Sequence, residues 1–217
     1  MRMDRTITVK GSAKLSLRPD YVVITMNLTA EDKSYDEAMA QANARLEALR
    51  GALAAIGYDR KDLKTASFNV STEYDFQNDR NGNGRRVFRG YACAHDLKLA
   101  LDFDAARLGQ TLSAITGCKA EPELNVRFTV KDTDAVSDEL LRQASENALR
   151  RAKVLAAASG VELGQLVRVD YSWGDRDFVS PTAFAAGGML RKAKASMDFT
   201  PEDIDVNDQA TFVWEIL

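Results

Sequence analysis

The chain has 217 residues, 45% hydrophobic and 28% charged, enough to bury roughly 70% of its unfolded surface in one large fold or two small ones. Its 29 basic and 32 acidic residues leave a net charge of −3, which argues against binding nucleic acid through a basic surface. Two isolated cysteines, Cys93 and Cys118, do not make a disulfide framework or a metal-type pair, and no apolar run reaches 18 residues, so an integral membrane segment is not expected.

The N-terminal "MRMDRTITVKG" carries a short strand signal, with Ile7 and Val9 alternating against polar residues until Gly11 interrupts. It has no apolar stretch of signal-peptide length, so the chain as given reads as soluble and cytoplasmic. A chain trimmed of an export signal would read the same and would be periplasmic. In "YVVITMNLTAED", Val22, Ile24, Met26 and Leu28 fall on one face at period two. Ser34 and Glu37 then form a capping box, and Ala38, Ala42, Leu46, Leu49, Leu53 and Ile56 give an amphipathic helix closed by Gly57.

Period two returns at Phe68, Val70, Tyr74 and Phe76, and again at Tyr91, Cys93, His95, Leu97, Leu99 and Leu101. Between them lies "NDRNGNGRR". A phosphate-binding loop leads into a helix N-terminus, whereas this one leads into alternating strand sequence. Asn81-Gly82 and Asn83-Gly84 supply the positive φ of a hairpin connection, with residues 78–86 as its tip. Arg80, Arg85 and Arg86 then belong to a solvated tip.

Asp104 caps a shorter helix bearing Leu108, Leu112 and Ile115, closed by Gly117. A strand follows with Leu124, Val126, Phe128 and Val130. The longest helix is expected from Thr133 to Ser159, with a stripe of Ala144, Ala148, Ala152 and Leu155 that permits close packing, and Gly160 ends it. Val167, Val169, Tyr171 and Trp173 mark a strand. Ile204, Val206, Ala210, Phe212, Trp214 and Ile216 mark the last one.

Residues 20–101 and 123–217 both read strand, helix, strand, strand, and "LAAIGYDRKDLKTASFNV" and "LAAASGVELGQLVRVDYS" look alike. The expected fold is therefore α+β: two βαββ-like units joined by a short helix, largely antiparallel sheet packed by long helices, in a single domain over 1–217. The long connection 174–202 carries Phe178, Phe184, Met189 and Leu190, apolar residues that need cover, and the short basic run "RKAKA" at 191–195. A homo-oligomer whose interface includes part of this connection is the expectation, with an unidentified protein partner as a further possibility.

No catalytic, cofactor-binding or metal-binding residues are assigned. Two alternatives stand beside the non-enzymatic reading. Cys93 and His95, two residues apart on one strand face, could serve a Cys/His-dependent enzyme, if thiol and imidazole came within hydrogen-bond reach. The 174–202 connection could serve a small-molecule or membrane-surface binding module. Carboxylates in "EDKSYDE" and "KDTDAVSDE" sit at helix starts, where they complement the dipole.

Several stretches resemble the SIMPL domain family of bacterial and eukaryotic proteins. "ITVKGSAKLSLRPDYVVITMNLTAED" resembles its opening, and "DLKTASFNVSTEYDF" with "RGYACAHDLKLAL" its central strand pair. "NALRRAKVLAAASGVELGQLVRVDYS" resembles its long helix and following strand, and "DIDVNDQATFVWEI" its closing strand. The resemblance implies an α+β fold, self-association in some members, and an envelope- or stress-linked role in many bacterial members. An animal member associates with a signalling kinase. It implies no catalytic residues.

Overall fold

The computed structural model describes residues 5–78, 84–172, 174, 176–182, 184–185 and 199–217, with the backbone alone at 77, 78, 84, 184 and 185. In chain order the elements are β1 (Thr6–Leu17), β2 (Tyr21–Asp32), α1 (Tyr35–Ala54), β3 (Leu63–Asn78) and β4 (Gly84–Asp102). They continue with α2 (Ala105–Gly117), β5 (Glu123–Thr129), α3 (Thr133–Ala158), β6 (Leu163–Asp170), β7 (Phe184–Ala185) and β8 (Ile204–Ile216). The class is α+β, as expected from the order of periods.

Two compact units form, and each is discontinuous in sequence. The first comprises Met1–Pro19, Thr129–Pro181 and Glu202–Leu217; the second comprises Asp20–Phe128 and Thr182–Pro201. Sheet order is β1-β8-β6 in the first and β3-β4-β2-β5-β7 in the second.

In the second unit, period two on β2 buries Val22, Ile24, Met26 and Leu28, all at 2% exposure or less. Leu46, Leu49 and Leu53 of α1 cover them, joined by Leu97, Leu99 and Leu101 of β4. Each fully buried leucine contributes on the order of 1.5–3 kcal/mol of transfer free energy. Ser34 is the N-cap of α1, but its side chain makes no capping bond. The Asp32 carboxylate instead ties the helix start to β2, accepting from Ser34 N at 2.9 Å and from Gln41 Nε2 at 3.0 Å. Asp104 does cap α2, accepting from Arg107 N at 2.6 Å.

β3 and β4 pair antiparallel, Phe68 opposite His95 and Phe76 opposite Arg86, out to Asn78 opposite Gly84. The hairpin is thus longer than its periodicity implied, and Gly84–Arg86 are strand, not tip. Residues 79–83 lie outside the described residues. Phe68, Tyr74 and Phe76 do not enter the core: they are 45%, 41% and 77% exposed. β3 is an edge strand, so its rings pack within the hairpin instead. Tyr74 meets Phe88 edge-to-face at 5.9 Å, and the Arg86 guanidinium lies 4.4 Å from the Tyr74 ring.

In the first unit, β1 pairs antiparallel with β8 from Thr6–Glu215 to Leu17–Ile204. Gly11 does not interrupt β1, as its sequence position suggested. It lets α3 lie against the strand: a Cβ there would sit 2.0 Å from Ala144 O and 2.7 Å from Ala148 Cβ. The alanine stripe is Ala144, Ala148, Ala152 and Ala156, every fourth residue, and all are buried. Leu155 is off that stripe and 47% exposed. The helix ends where Gly160 takes φ +70°, and Val161 N returns to Ala156 O at 3.1 Å.

The 174–202 connection is partly built into the two units. Phe178 is 8% exposed and packs with Leu140, Ile204 and Val206, so it is core and not interface. Val179 bridges Thr129, and Ser180 Oγ donates to Glu202 O at 2.7 Å. Phe184 and Ala185 form β7 against Val126 and Asn125. Met189, Leu190 and the basic run at 191–195 lie outside the described residues, as does Trp173.

Candidate functional site

Cys93 and His95 both lie on the covered face of β4, 0% and 8% exposed. Each is engaged away from the other. The Cys93 thiol donates to Met39 Sδ at 3.7 Å, inside a cluster with Ala30, Ala38 and Ala42. Burial pushes its pKa up, away from the reactive thiolate. His95 Nε2 shares a hydrogen bond with Thr65 Oγ1 at 2.9 Å, and its ring lies 5.1 Å from that of Phe68. Burial pushes the imidazole pKa down, the Arg50 charge adds to this, and Asp96 opposes it. Asp96 itself accepts from Ser67 Oγ at 2.5 Å and Asn27 Nδ2 at 2.7 Å, which hold its carboxyl below the usual range.

A broad cleft lies in the first unit. It has a volume of about 850 Å³ and is floored by β1 and β8, with Asp170, Ser172, Gly174 and Arg176 along one wall. Sequence reading missed its central group. Arg176 Nη2 donates to Tyr171 Oη at 2.7 Å and lies 2.5 Å from Asp208 Oδ1. Tyr171 Oη donates to Asp208 Oδ2 at 3.0 Å, and Gln209 N donates to Oδ1 at 2.7 Å. The Asp208 side chain is only 6% exposed. The hydrogen bond to Tyr171 and the charge of Asp208 hold the Arg176 pKa above its usual value.

One signal could have found this group. Asp208 occupies the apolar face of β8 between Val206 and Ala210, where a carboxylate needs a partner. Arg176 and Tyr171 carry no such mark, because only the fold brings them to it. With guanidinium, phenol and carboxylate bonded to one another, the arrangement is a charge knot that pins Tyr171 and Arg176 to β8. Lys14, at the cleft rim, pairs with Asp205 at 2.9 Å. Among the described residues no three His, Cys, Asp or Glu side chains gather as a metal site would require.

The sheet edges of the first unit differ from each other. Outward-facing backbone of β1 is capped from α3: Asn147 Oδ1 accepts from Ser12 N at 3.3 Å, and Arg151 Nη1 donates to Lys10 O at 3.0 Å. β6 pairs with β8 on one side only and is the other edge. Leu166, Val167 and Val169 there are 50%, 55% and 46% exposed.

This is an α+β protein with a covered histidine, a self-satisfied polar cleft and an open apolar sheet edge. It belongs to the SIMPL family, described as proteins of unknown function (DUF541), whose model matches residues 7–214. It is similar to the 26 kDa periplasmic immunogenic proteins of Brucella melitensis and Brucella abortus, each 28% identical over 166 residues. Those matches cover 75% of this chain and 65% of each relative. It is also 22% identical over 211 residues to the uncharacterized protein YggE of Edwardsiella ictaluri, covering 97% of this chain and 86% of that one. Among the described residues no helix is long and apolar enough to cross a membrane.

Proposed function

We propose that the chain works by associating with copies of itself at the cell envelope, and not by catalysis. The observation that carries this reading is the edge strand β6, with Leu166, Val167 and Val169 about half exposed. A sheet edge bearing apolar side chains presents unpaired N–H and C=O groups together with surface that gains from leaving water. The non-enzymatic part is supported by Cys93 and His95, each bonded elsewhere, with a thiol whose pKa burial raises. The envelope part is carried over from the printed names of the Brucella relatives, which are periplasmic.

Fractionation of cells expressing the full-length gene, followed by light scattering on the recovered protein, tests the reading. The expected result is periplasmic protein with a mass at micromolar concentration that is a multiple of its chain mass. Folded Cys93→Ala and His95→Ala variants are expected to assemble to the same mass. A monomer at that concentration overturns the assembly reading, and cytosolic protein overturns the location.

A further inference from the structure

We infer that a groove between β1 and α3 binds a single-chain anionic amphiphile, with its acid head on Arg150 and Arg151 and its acyl chain along Val9, Val154 and Leu155. The site is independent of the self-association reading. The groove lies in the first unit and has a volume of about 520 Å³, a size common among small-molecule sites. Val154 stands four residues from Arg150 and three from Arg151, and Leu155 four from Arg151, so the four share one side of α3. β1 supplies the other wall through Val9 and Lys10.

Apolar surface is the first argument. Val154 is 63% and Leu155 47% exposed, and buried Val9 belongs to the same lining. Side chains of this kind gain from being covered. Charge is the second argument. Lys10, Arg150 and Arg151 all line the groove, and no acid does. Among the described residues none of the three has a carboxylate partner, and one turn back along α3 Glu146 is taken by Arg142 at 2.6 Å. Cations without counter-charge beside apolar side chains fit a ligand that is anionic at one end and apolar along the rest.

The third argument is the state of the strand edge. Ser12 N already donates to Asn147 Oδ1, and Lys10 O already accepts from Arg151 Nη1. An added peptide strand would need those backbone groups, whereas an acyl chain asks nothing of them. Arg151 spends one N–H on Lys10 O, and the rest of its guanidinium is suited to the paired oxygens of a carboxylate or phosphate.

The test is calorimetric titration of the whole chain with dodecanoate, kept below its micelle-forming concentration, at ~0.1 M salt so that only nearby charges act. Acetate and dodecyltrimethylammonium serve as chainless and cationic controls. Dodecanoate is expected to bind saturably, and each control at least ~10-fold more weakly. R150E and V154D, both at exposed positions, are each expected to bind dodecanoate about tenfold more weakly, and circular dichroism checks that they fold. K153E, exposed on α3 but outside the groove, is expected to bind as the unaltered chain does.

Absence of saturable dodecanoate binding, or equal binding of the cationic amphiphile, overturns the site. Unchanged binding by R150E or by V154D overturns it too, as does a loss in K153E equal to that in R150E. A chain that leaves dodecanoate unbound but sediments with vesicles of anionic phospholipid also overturns it, and makes the patch a membrane-facing surface instead.

Discussion

A single buried imidazole couples this protein to pH. His95 has its pKa lowered by burial and by the Arg50 charge, against the weaker opposing effect of Asp96. In the unfolded chain its pKa returns to about 6.5. Below that value the unfolded state binds a proton that the folded state resists, so stability falls as pH drops from about 7 toward 5. Above about 7.5 the group is neutral in both states and has no effect. Carboxylates such as Asp96, whose pKa is lowered in the fold, lose their contribution only at lower pH, near and below about 4. Urea unfolding at pH 7.5 and 5.5 is expected to show a loss between them that is smaller in His95→Gln. An equal loss in both proteins would assign the effect to other groups.

Among the elements, the contact of α3 with β1 depends on small residues on both sides. Ala144 and Ala148 face Gly11 so closely that a Cβ at position 11 would lie 2.0 Å from a backbone oxygen. Backbone cannot rotate away as a side-chain end can, so helix and strand must separate. Gly11→Ala is expected to cost at least ~1–3 kcal/mol, the range for overpacking. At Gly109, inside α2, a Cβ would meet nothing within 4 Å, so Gly109→Ala is expected to stabilise by ~0.5–1 kcal/mol through helix propensity. Thermal or denaturant unfolding of the two variants, which share one chemical change, should therefore give opposite signs. The same sign in both would mean that α3 shifts to accommodate the methyl group.

At the scale of the whole molecule, assembly ties stability to concentration. If native copies associate and unfolded chains do not, mass action adds about 1.4 kcal/mol per dimer for each tenfold rise in concentration. For a chain of this length that is a rise in Tm of about 1–3 °C per tenfold. Calorimetry from micromolar to hundreds of micromolar should show it. A Tm independent of concentration would speak against an assembled native state.

The sequence by itself determined the elements and their class. Val22 to Leu28 and Leu97 to Leu101 alternate, and Ala38 to Leu53 recurs at three and four, because one face of each meets the core. Alternation on both sides of the 78–86 stretch marked the β3–β4 hairpin, since a local pattern needs no distant partner. The SIMPL family was legible in the same way, from motifs spread along nearly the whole chain.

Tertiary structure decided what depends on which elements meet. Gly11 looks like a strand breaker until α3 is seen against it. Phe178 looks like interface until Leu140, Ile204 and Val206 surround it. Period two at Phe68 to Phe76 marked a strand and not its burial: β3 is an edge, and Phe68, Tyr74 and Phe76 stay exposed. Asp208 lies far along the sequence from Tyr171 and Arg176, and no spacing announces their charge knot. Likewise β1 and β6 read alike as alternating strands. Only the fold puts Asn147 and Arg151 on the edge of one and leaves the other with Leu166, Val167 and Val169 exposed, because edge status belongs to strand order, which pairing between distant segments sets.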